Sequence, residues 1–214
     1  MTAKPLIIYH RGRHGKVGAR EIKENTIEAF EAAIAEGAQM IEFDVWTGLR
    51  IAHDPGENAD APTLKQALDV IGGRASVNLE IKSPSALRDA ILVIRAALRS
   101  RRWLPEQIVI SSFHHASAIN AKALMPELCC GIINDGVLEF TYLEWLRRRS
   151  ISNLHIEWMN VYMDREYDCR FRDHARELGF AIWVWTVNDR ETFDVIAEYG
   201  ADAIFTDRPD LLKH

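Results

Sequence analysis

Two acidic side chains share one face of a strand-like segment, MIEFDVW, at residues 40–46. Alternation places Glu42 and Asp44 on one side of this segment and its apolar residues on the other. Two carboxylates side by side are costly to bury, because like charges repel each other in a medium of low dielectric. The pair therefore predicts a compensating positive charge.

A third carboxylate, Glu80, lies in the strand-like segment SVNLEIK at residues 76–82. If the two segments are neighbours in one sheet, the three carboxylates are suitable ligands for a hard divalent cation, Mg²⁺ or Ca²⁺. Mn²⁺ shares this preference for carboxylate oxygens. The sequence leaves open an alternative, in which the first two carboxylates pair only with Arg11 and Lys82.

Two histidines lie where they could join this chemistry. His10 ends the apolar run LIIYH, and His53 follows the acidic segment after a short polar turn, in RIAHD at residues 50–54. Two histidines beside a cation and two basic side chains predict an acid–base pair for a phosphate ester. The other histidines lack such neighbours, and we interpret them as structural: His14, His114, His115, His155, His174 and His214.

The elements that position these residues alternate along the chain. Eight strand-like runs lie at residues 6–10, 40–46, 76–82, 108–113, 128–133, 153–158, 181–187 and 203–206. Helical patterns lie between most of them, at residues 25–36, 63–71, 85–98, 115–124, 138–148, 164–178 and 189–199. Such alternation indicates parallel strands, and eight repeats predict a closed (β/α)₈ TIM barrel. An open doubly wound sheet is disfavoured, because no glycine-rich phosphate loop follows the first strand. We expect residues 1–214 to form a single domain.

The barrel places its active site at the carboxyl ends of the strands. His10 ends the first predicted strand, and the three carboxylates lie late in the second and third, so they should converge. The same rule brings six further residues to this face without giving them a role: Ser111, Ser112, Glu157, Trp185, Asn188 and Asp207.

Eight short motifs in this chain resemble those of the glycerophosphodiester phosphodiesterases. They are HRG at 10–12, ENT with AF at 24–30, GAQMIEFDV at 37–45, HDP at 53–55, LEIK at 79–82, SSF at 111–113, WTVND at 185–189 and GADAIFTDRPDLL at 200–212. They occur in the order of that family and span almost the whole chain.

The resemblance implies a barrel that hydrolyses glycerophosphodiesters to an alcohol and glycerol 3-phosphate. It implies a divalent metal on the three carboxylates, and acid–base roles for His10 and His53, of which we favour His10 as the base. It also implies that Arg11 and Lys82 contact the phosphate. The nucleophile is either water or a glycerol hydroxyl that acts through a cyclic phosphate. Trp185 is expected to wall the pocket, with packing alone as the alternative.

Two departures from the family bear on specificity. Only 25 residues, 55–79, separate Asp54 from Glu80, where the family carries a small inserted subdomain. Conversely, the link at 13–23 is longer than usual and basic. We therefore expect a wide mouth, weak selectivity among head groups, and a salt-sensitive preference for anionic substrates held by the basic link.

Composition and charge limit the kinds of binding partner and cellular compartment that the protein can have. The net charge of −5 argues against a nucleic-acid partner, and three cysteines without zinc or disulfide spacing fit a reducing compartment. The apolar run near the N-terminus is too short for a signal peptide or membrane span. We expect a cytoplasmic enzyme with a small-molecule substrate and no stable membrane insertion, and homo-oligomer formation stays open. Two alternatives are a phospholipid phosphodiesterase resembling sphingomyelinase D and an inactive phosphate-binding barrel.

Overall fold

Eight parallel strands close into a barrel in the computed structural model, which describes residues 4–57 and 60–212. The described residues form ten strands in all, eight in the barrel and two, β2 and β3, outside it. In chain order they are β1 (Leu6–Tyr9), β2 (Gly15–Val17), β3 (Arg20–Ile22), β4 (Met40–Val45), β5 (Ser76–Ile81), β6 (Ile108–Ser112), β7 (Cys129–Asn134), β8 (Asn153–Glu157), β9 (Ala181–Trp185) and β10 (Ala203–Thr206). The order around the barrel is β1, β10, β9, β8, β7, β6, β5, β4. All eight predicted barrel strands are confirmed, and β2 and β3 form a separate antiparallel hairpin.

Helices surround the barrel. They are α1 (Ile27–Ala35), α2 (Leu64–Ile71), α3 (Leu87–Arg99), α4 (His115–Leu124), α5 (Phe140–Arg147), α6 (Trp158–Glu166), α7 (Arg170–Glu177), α8 (Arg190–Tyr199) and α9 (Pro209–Leu212). Among the described residues, none of these helices is long and apolar enough to cross a membrane.

The two faces of strand β4 lie in different environments, one against a helix and the other inside the barrel. Phe43 points outward and packs on Phe30 of α1, with 5.2 Å between ring centres. Helix α1 begins after Thr26, whose hydroxyl accepts a hydrogen bond from the backbone N–H of Ala29. Apolar burial against α1 therefore fixes the register of β4, and that register turns the acidic residues into the barrel.

Strand register brings the ends of distant segments together. Asp44 of β4 lies opposite Glu80 of β5. On the other edge of β4, Tyr9 of β1 lies opposite Ile41, and it also lies opposite Thr206 of β10. The residues that follow β1 and β10 are therefore neighbours at the carboxyl-end face.

Two regions differ from the sequence-based expectation. The basic link contains the β2–β3 hairpin, and the helix predicted at 164–178 is two helices, α6 and α7. Asp168 and Cys169 break it, with positive φ angles of 58° each. The side chain of Asp164 accepts hydrogen bonds from the backbone N–H groups of Phe171 and Arg172, which caps α7.

The segment at 55–79 provides little more than the barrel helix α2, as predicted. Thr63 and Gln66 form a capping box at its first turn. A short 3₁₀ turn at Pro55–Glu57 precedes it. In the described part of this segment, no further helix or strand forms before β5, so no subdomain stands over this side of the mouth.

Candidate active site

The three predicted metal ligands lie together at the carboxyl ends of β4 and β5. Glu42, Asp44 and Glu80 each place one carboxylate oxygen within 4.8 Å of the others. All three residues are buried, with 2%, 1% and 9% of their surface exposed. Glu42 Oε1 is buried and has no hydrogen-bond partner. A buried carboxylate oxygen without a partner is costly, so these three carboxylates fit a bound cation.

The electrostatics of the cluster point to the same conclusion. Burial, together with the charges of Asp44 and Glu80, raises the pKa of Glu42 well above its usual value. Burial and the charge of Asp44 raise the pKa of Glu80 to about 7, although Lys82 opposes this shift. Two carboxyl groups therefore resist ionisation in the protein alone.

Arg11 and Lys82 pair with the cluster but do not complete it. Lys82 Nζ lies 3.0 Å from Glu80 Oε1 and 3.5 Å from Asp44 Oδ1. Arg11 Nε lies 3.5 Å from Asp44 Oδ2, and its Nη1 donates to Glu24 at 2.8 Å. Pairing of this kind leaves the free oxygen of Glu42 unsatisfied, so the simple ion-pair alternative does not explain the cluster. The all-oxygen donor set fits a hard divalent cation.

Residues of the HRG and ENT motifs donate hydrogen bonds to these carboxylates. Arg11 and Asn25 both adopt left-handed conformations, with φ of 57°, and the N–H of Asn25 donates to the Arg11 carbonyl. The N–H of Arg11 donates to Glu42 Oε2 at 3.0 Å, and Asn25 Nδ2 donates to Asp44 Oδ2 at 2.8 Å. Gly12 is required for close packing, because a Cβ there would approach Ala29 Cβ to 2.9 Å.

The two predicted catalytic histidines line one cavity of about 180 Å³ together with Glu42 and Glu80. His10 Nε2 lies 3.8 Å from Glu42 Oε2. The side chain of His53 is 37% exposed, and its Nδ1 lies 3.4 Å from Asp54 Oδ2. The backbone carbonyl of His53 accepts a hydrogen bond from Trp46 Nε1 at 3.0 Å, which holds the turn over the mouth.

Asp207 connects His10 to two residues to which the sequence gave no role. Its Oδ1 lies 2.7 Å from His10 Nδ1 and 3.2 Å from His14 Nε2. Its Oδ2 accepts a hydrogen bond from Asn188 Nδ2 at 2.7 Å. Partial burial opposes ionisation of Asp207, but the hydrogen bonds from both histidines outweigh it and hold the pKa of this carboxyl well below its usual range.

Aromatic rings close the cavity on the side opposite β4. Trp185 lines it and meets the ring of Phe113 edge-on, with 5.5 Å between centres. Lys82 Nζ lies 5.9 Å from the centre of the Phe113 ring. Trp185 Nε1 also donates to the His155 carbonyl, so this tryptophan both packs and walls the cavity. Burial lowers the pKa of His155 to about 3, which keeps its ring uncharged in the barrel interior.

Two arginines of the basic link pair with acidic side chains. Arg13 is buried and pairs with Glu36 at 2.9 Å and with Asp210 at 3.6 Å. Arg20 pairs with Glu28 at the surface. Among the described residues that line the catalytic cavity, none is Arg13, Lys16, Arg20 or Lys23. The expectation that these side chains hold a substrate is therefore wrong for Arg13 and stays a prediction for Lys16, Arg20 and Lys23.

Most of the predicted structural histidines lie away from the cavity. His14 and His155 are the exceptions, since His14 joins Asp207 and His155 lines the cavity. His214 falls outside the described residues. Two signals in the sequence point to Asp207: its position directly after the last strand and its place in the motif GADAIFTDRPDLL.

Solved structures identify the class of barrel first. A glycerophosphodiester phosphodiesterase from Parabacteroides distasonis superimposes with a TM-score of 0.78 at 23% identity, covering 98% of this chain and 95% of that one. A phosphodiesterase from Oleispira antarctica, solved with the product sn-glycerol-3-phosphate, gives a TM-score of 0.74 at 24% identity, covering 96% and 94%. Both confirm the TIM-barrel fold.

Sequence comparison then identifies the family. The model of the glycerophosphoryl diester phosphodiesterase family matches residues 10–47 and 50–211. A glycerophosphodiester phosphodiesterase from Caldanaerobacter subterraneus is 29% identical over 247 aligned positions, which cover 98% of this chain and 96% of the relative. The chain belongs to the glycerophosphoryl diester phosphodiesterase family. It is a phosphodiesterase, as its motifs indicated.

Proposed function

We propose that this enzyme hydrolyses glycerophosphodiesters to an alcohol and glycerol 3-phosphate, with a divalent cation and two histidines. The observation that carries the proposal is the buried triad of Glu42, Asp44 and Glu80, which has an unsatisfied oxygen and lies beside two histidines in one cavity. The Oleispira phosphodiesterase was solved with the product sn-glycerol-3-phosphate, which is the product that this reaction would release.

The cation would be held by Glu42, Asp44 and Glu80. When bound, it neutralises the repulsion among these carboxylates and stabilises negative charge on phosphoryl oxygens. Mg²⁺ or Ca²⁺ fits the oxygen donors, and Mn²⁺ is an alternative. Lys82 and Arg11 supply further positive charge at the cavity, where they contact the phosphate and strengthen its binding as charge builds up.

His10 and His53 provide the proton transfers. We assign the base to His10, which takes a proton from the attacking oxygen as the new O–P bond forms. His53 then gives a proton to the leaving alcohol as the ester P–O bond breaks. The exposed position of His53 suits a residue that meets the leaving group at the mouth. The attacking oxygen belongs to water, or to a neighbouring glycerol hydroxyl that gives a cyclic phosphate before water opens it.

The test is hydrolysis of glycerophosphocholine in the presence of Mg²⁺, followed by ³¹P NMR. The proposal expects glycerol 3-phosphate and choline, and a transient cyclic phosphate would identify the second route. Release of phosphocholine and glycerol instead would contradict the assigned bond cleavage. No turnover of any glycerophosphodiester with Mg²⁺, Mn²⁺ or Ca²⁺ would favour an inactive barrel.

A second candidate is hydrolysis of an amphiphilic phospholipid, and one observation favours it. A mainly apolar groove of about 290 Å³ lies between the loop after β7 and helices α5–α7. Val137 and Met163 line this groove with 79% and 54% of their surface exposed. A higher kcat/KM for lysophosphatidylcholine than for glycerophosphocholine would support this candidate, and no hydrolysis of lysophosphatidylcholine would exclude it.

A further inference from the structure

Asp207 is a carboxylate at the mouth that is not among the predicted metal ligands, and its surroundings differ from theirs. Its Oδ1 contacts His10 Nδ1 at 2.7 Å and His14 Nε2 at 3.2 Å. Its Oδ2 accepts from Asn188 Nδ2 at 2.7 Å, and its backbone N–H donates to Asn188 Oδ1 at 2.8 Å. Both carboxylate oxygens therefore have donors, and the side chain cannot rotate without losing them.

An ionised carboxylate can only accept hydrogen bonds, so His10 must carry its proton on Nδ1 in this contact. The lone pair of His10 then lies on Nε2, the nitrogen that is 3.8 Å from Glu42 Oε2. Without Asp207, these contacts would no longer fix the proton on Nδ1, and the ring would be free to carry it on Nε2. A base with its proton on the cavity side could not accept another proton.

We propose that Asp207 is a positioning residue that fixes the Nδ1–H tautomer and ring orientation of His10, and that Asn188 and His14 hold Asp207 in place. This inference rests on the proposed role of His10 as the base. It assigns His14 and Asn188 a supporting role at the site: His14 comes from the unusually long link after the HRG motif, and Asn188 from the loop after β9.

The geometry predicts the effect of Asp207→Asn in detail. Asn188 Oδ1 accepts from the backbone of residue 207 and from the hydroxyl of Thr206, so its Nδ2 continues to point at residue 207 as a donor. The new amide would turn its oxygen toward Asn188 and its NH₂ group toward His10. The ring of His10 would then have to accept on Nδ1 and carry its proton on Nε2, the unproductive tautomer.

The double variant Asp207→Asn with Asn188→Asp should reverse this. A carboxylate at position 188 accepts from the amide NH₂ group of residue 207, whose oxygen then faces His10 again. We expect kcat to fall about 10²–10⁴-fold in Asp207→Asn, with KM changed less than about threefold. We expect the double variant to recover at least about tenfold of that loss. Asp210→Asn, a nearby aspartate that pairs with Arg13 and Arg208, is the matched control and should keep wild-type kcat.

A second readout needs no activity. Histidine ¹⁵N chemical shifts distinguish the two neutral tautomers, and the His10 signals are assigned by their loss in His10→Ala. The proposal expects Nδ1–H in the wild type and in the double variant, and Nε2–H in Asp207→Asn. Melting temperatures identify any variant that fails to fold.

An Nδ1–H signal that persists in folded Asp207→Asn, or wild-type kcat in that variant, would overturn the inference. So would a double variant that is no more active than Asp207→Asn. If the wild type showed the Nδ1–H tautomer but hydrolysed no glycerophosphodiester, the proposed function would fail while the tautomer control would stand.

Discussion

Two groups of carboxylates lie at the same end of this barrel and are built in opposite ways. On the β4–β5 side, Glu42, Asp44 and Glu80 are buried together, and one oxygen of Glu42 has no partner. On the β1–β10 side, Asp207 stands apart from other acids and has donors on both oxygens. Their pKa shifts have opposite directions, raised for Glu42 and Glu80 and lowered for Asp207.

The difference shows what each group needs. The Asp207 group is complete as the protein folds, because two imidazoles and an amide supply its hydrogen bonds. The triad differs, since Arg11, Lys82 and Asn25 leave one buried oxygen of Glu42 without a partner, and its oxygen donors fit a hard cation. In the proposed function, one side of the mouth orients the base and the other holds the cation.

We expect the largest loss of activity when either of the two predicted catalytic histidines is removed. His10→Ala and His53→Ala should each lower kcat about 10²–10⁴-fold, with a smaller effect on KM, because each loses a proton-transfer step. Steady-state kinetics on glycerophosphocholine provides the measurement. His174→Gln is the control, since His174 stacks on Phe140 and does not line the cavity. Wild-type kcat in His53→Ala at every pH would exclude an acid–base role for His53.

In the absence of metal, the carboxylate triad should make the free energy of unfolding depend on pH. The pKa of Glu80 rises from 4.5 in the unfolded chain to about 7 in the folded one, so the folded state binds more protons in this window. Its contribution to the free energy of unfolding is therefore full below about pH 4.5 and is lost as pH rises through about 7. Relative to Glu80→Gln, the wild type in chelator should lose on the order of 3 kcal/mol over this range.

Urea unfolding of both proteins at several pH values provides this comparison. Excess Mg²⁺ should remove most of the difference, because a ligand that binds only the folded state stabilises it. If the wild type in chelator gained stability relative to Glu80→Gln as the pH rises, the pKa of Glu80 would not be raised by burial and neighbouring carboxylates.

The sequence predicted the triad and the two histidines because each is a local signal. Alternation in MIEFDVW separates acidic from apolar residues, and the strand-end rule of the barrel brings Glu80 and His10 to the same face. The link between His10 and Asp207 could not be predicted as a contact, because 197 positions separate them and only barrel closure between β1 and β10 joins them. The break between α6 and α7 was missed for a similar reason, since the cap from Asp164 depends on a folded turn.

We expect the smallest differences in activity among substrates that differ only in their head group. The segment at 55–79 contributes α2 and little else over the mouth, so few groups would be left unpaired by a wrong leaving alcohol. We expect kcat/KM to vary well under 10³-fold among glycerophosphocholine, glycerophosphoethanolamine, glycerophosphoglycerol and glycerophosphoinositol. Because Arg13 pairs with Glu36 and Asp210, a salt-sensitive preference for anionic substrates would have to come from the other basic residues of the link. A larger preference for one zwitterionic head group would require a closed alcohol pocket.

Calorimetric titration of Mg²⁺ and Ca²⁺ into the metal-free protein tests the central claim most directly, with activity followed in the same samples. We expect one site in the wild type, loss of binding and of activity in Glu42→Gln, and a retained site with impaired turnover in Asp207→Asn. Activity should disappear in EDTA and return with added Mg²⁺, Mn²⁺ or Ca²⁺. Full activity of the wild type in chelator, or unchanged cation binding in Glu42→Gln, would contradict the account.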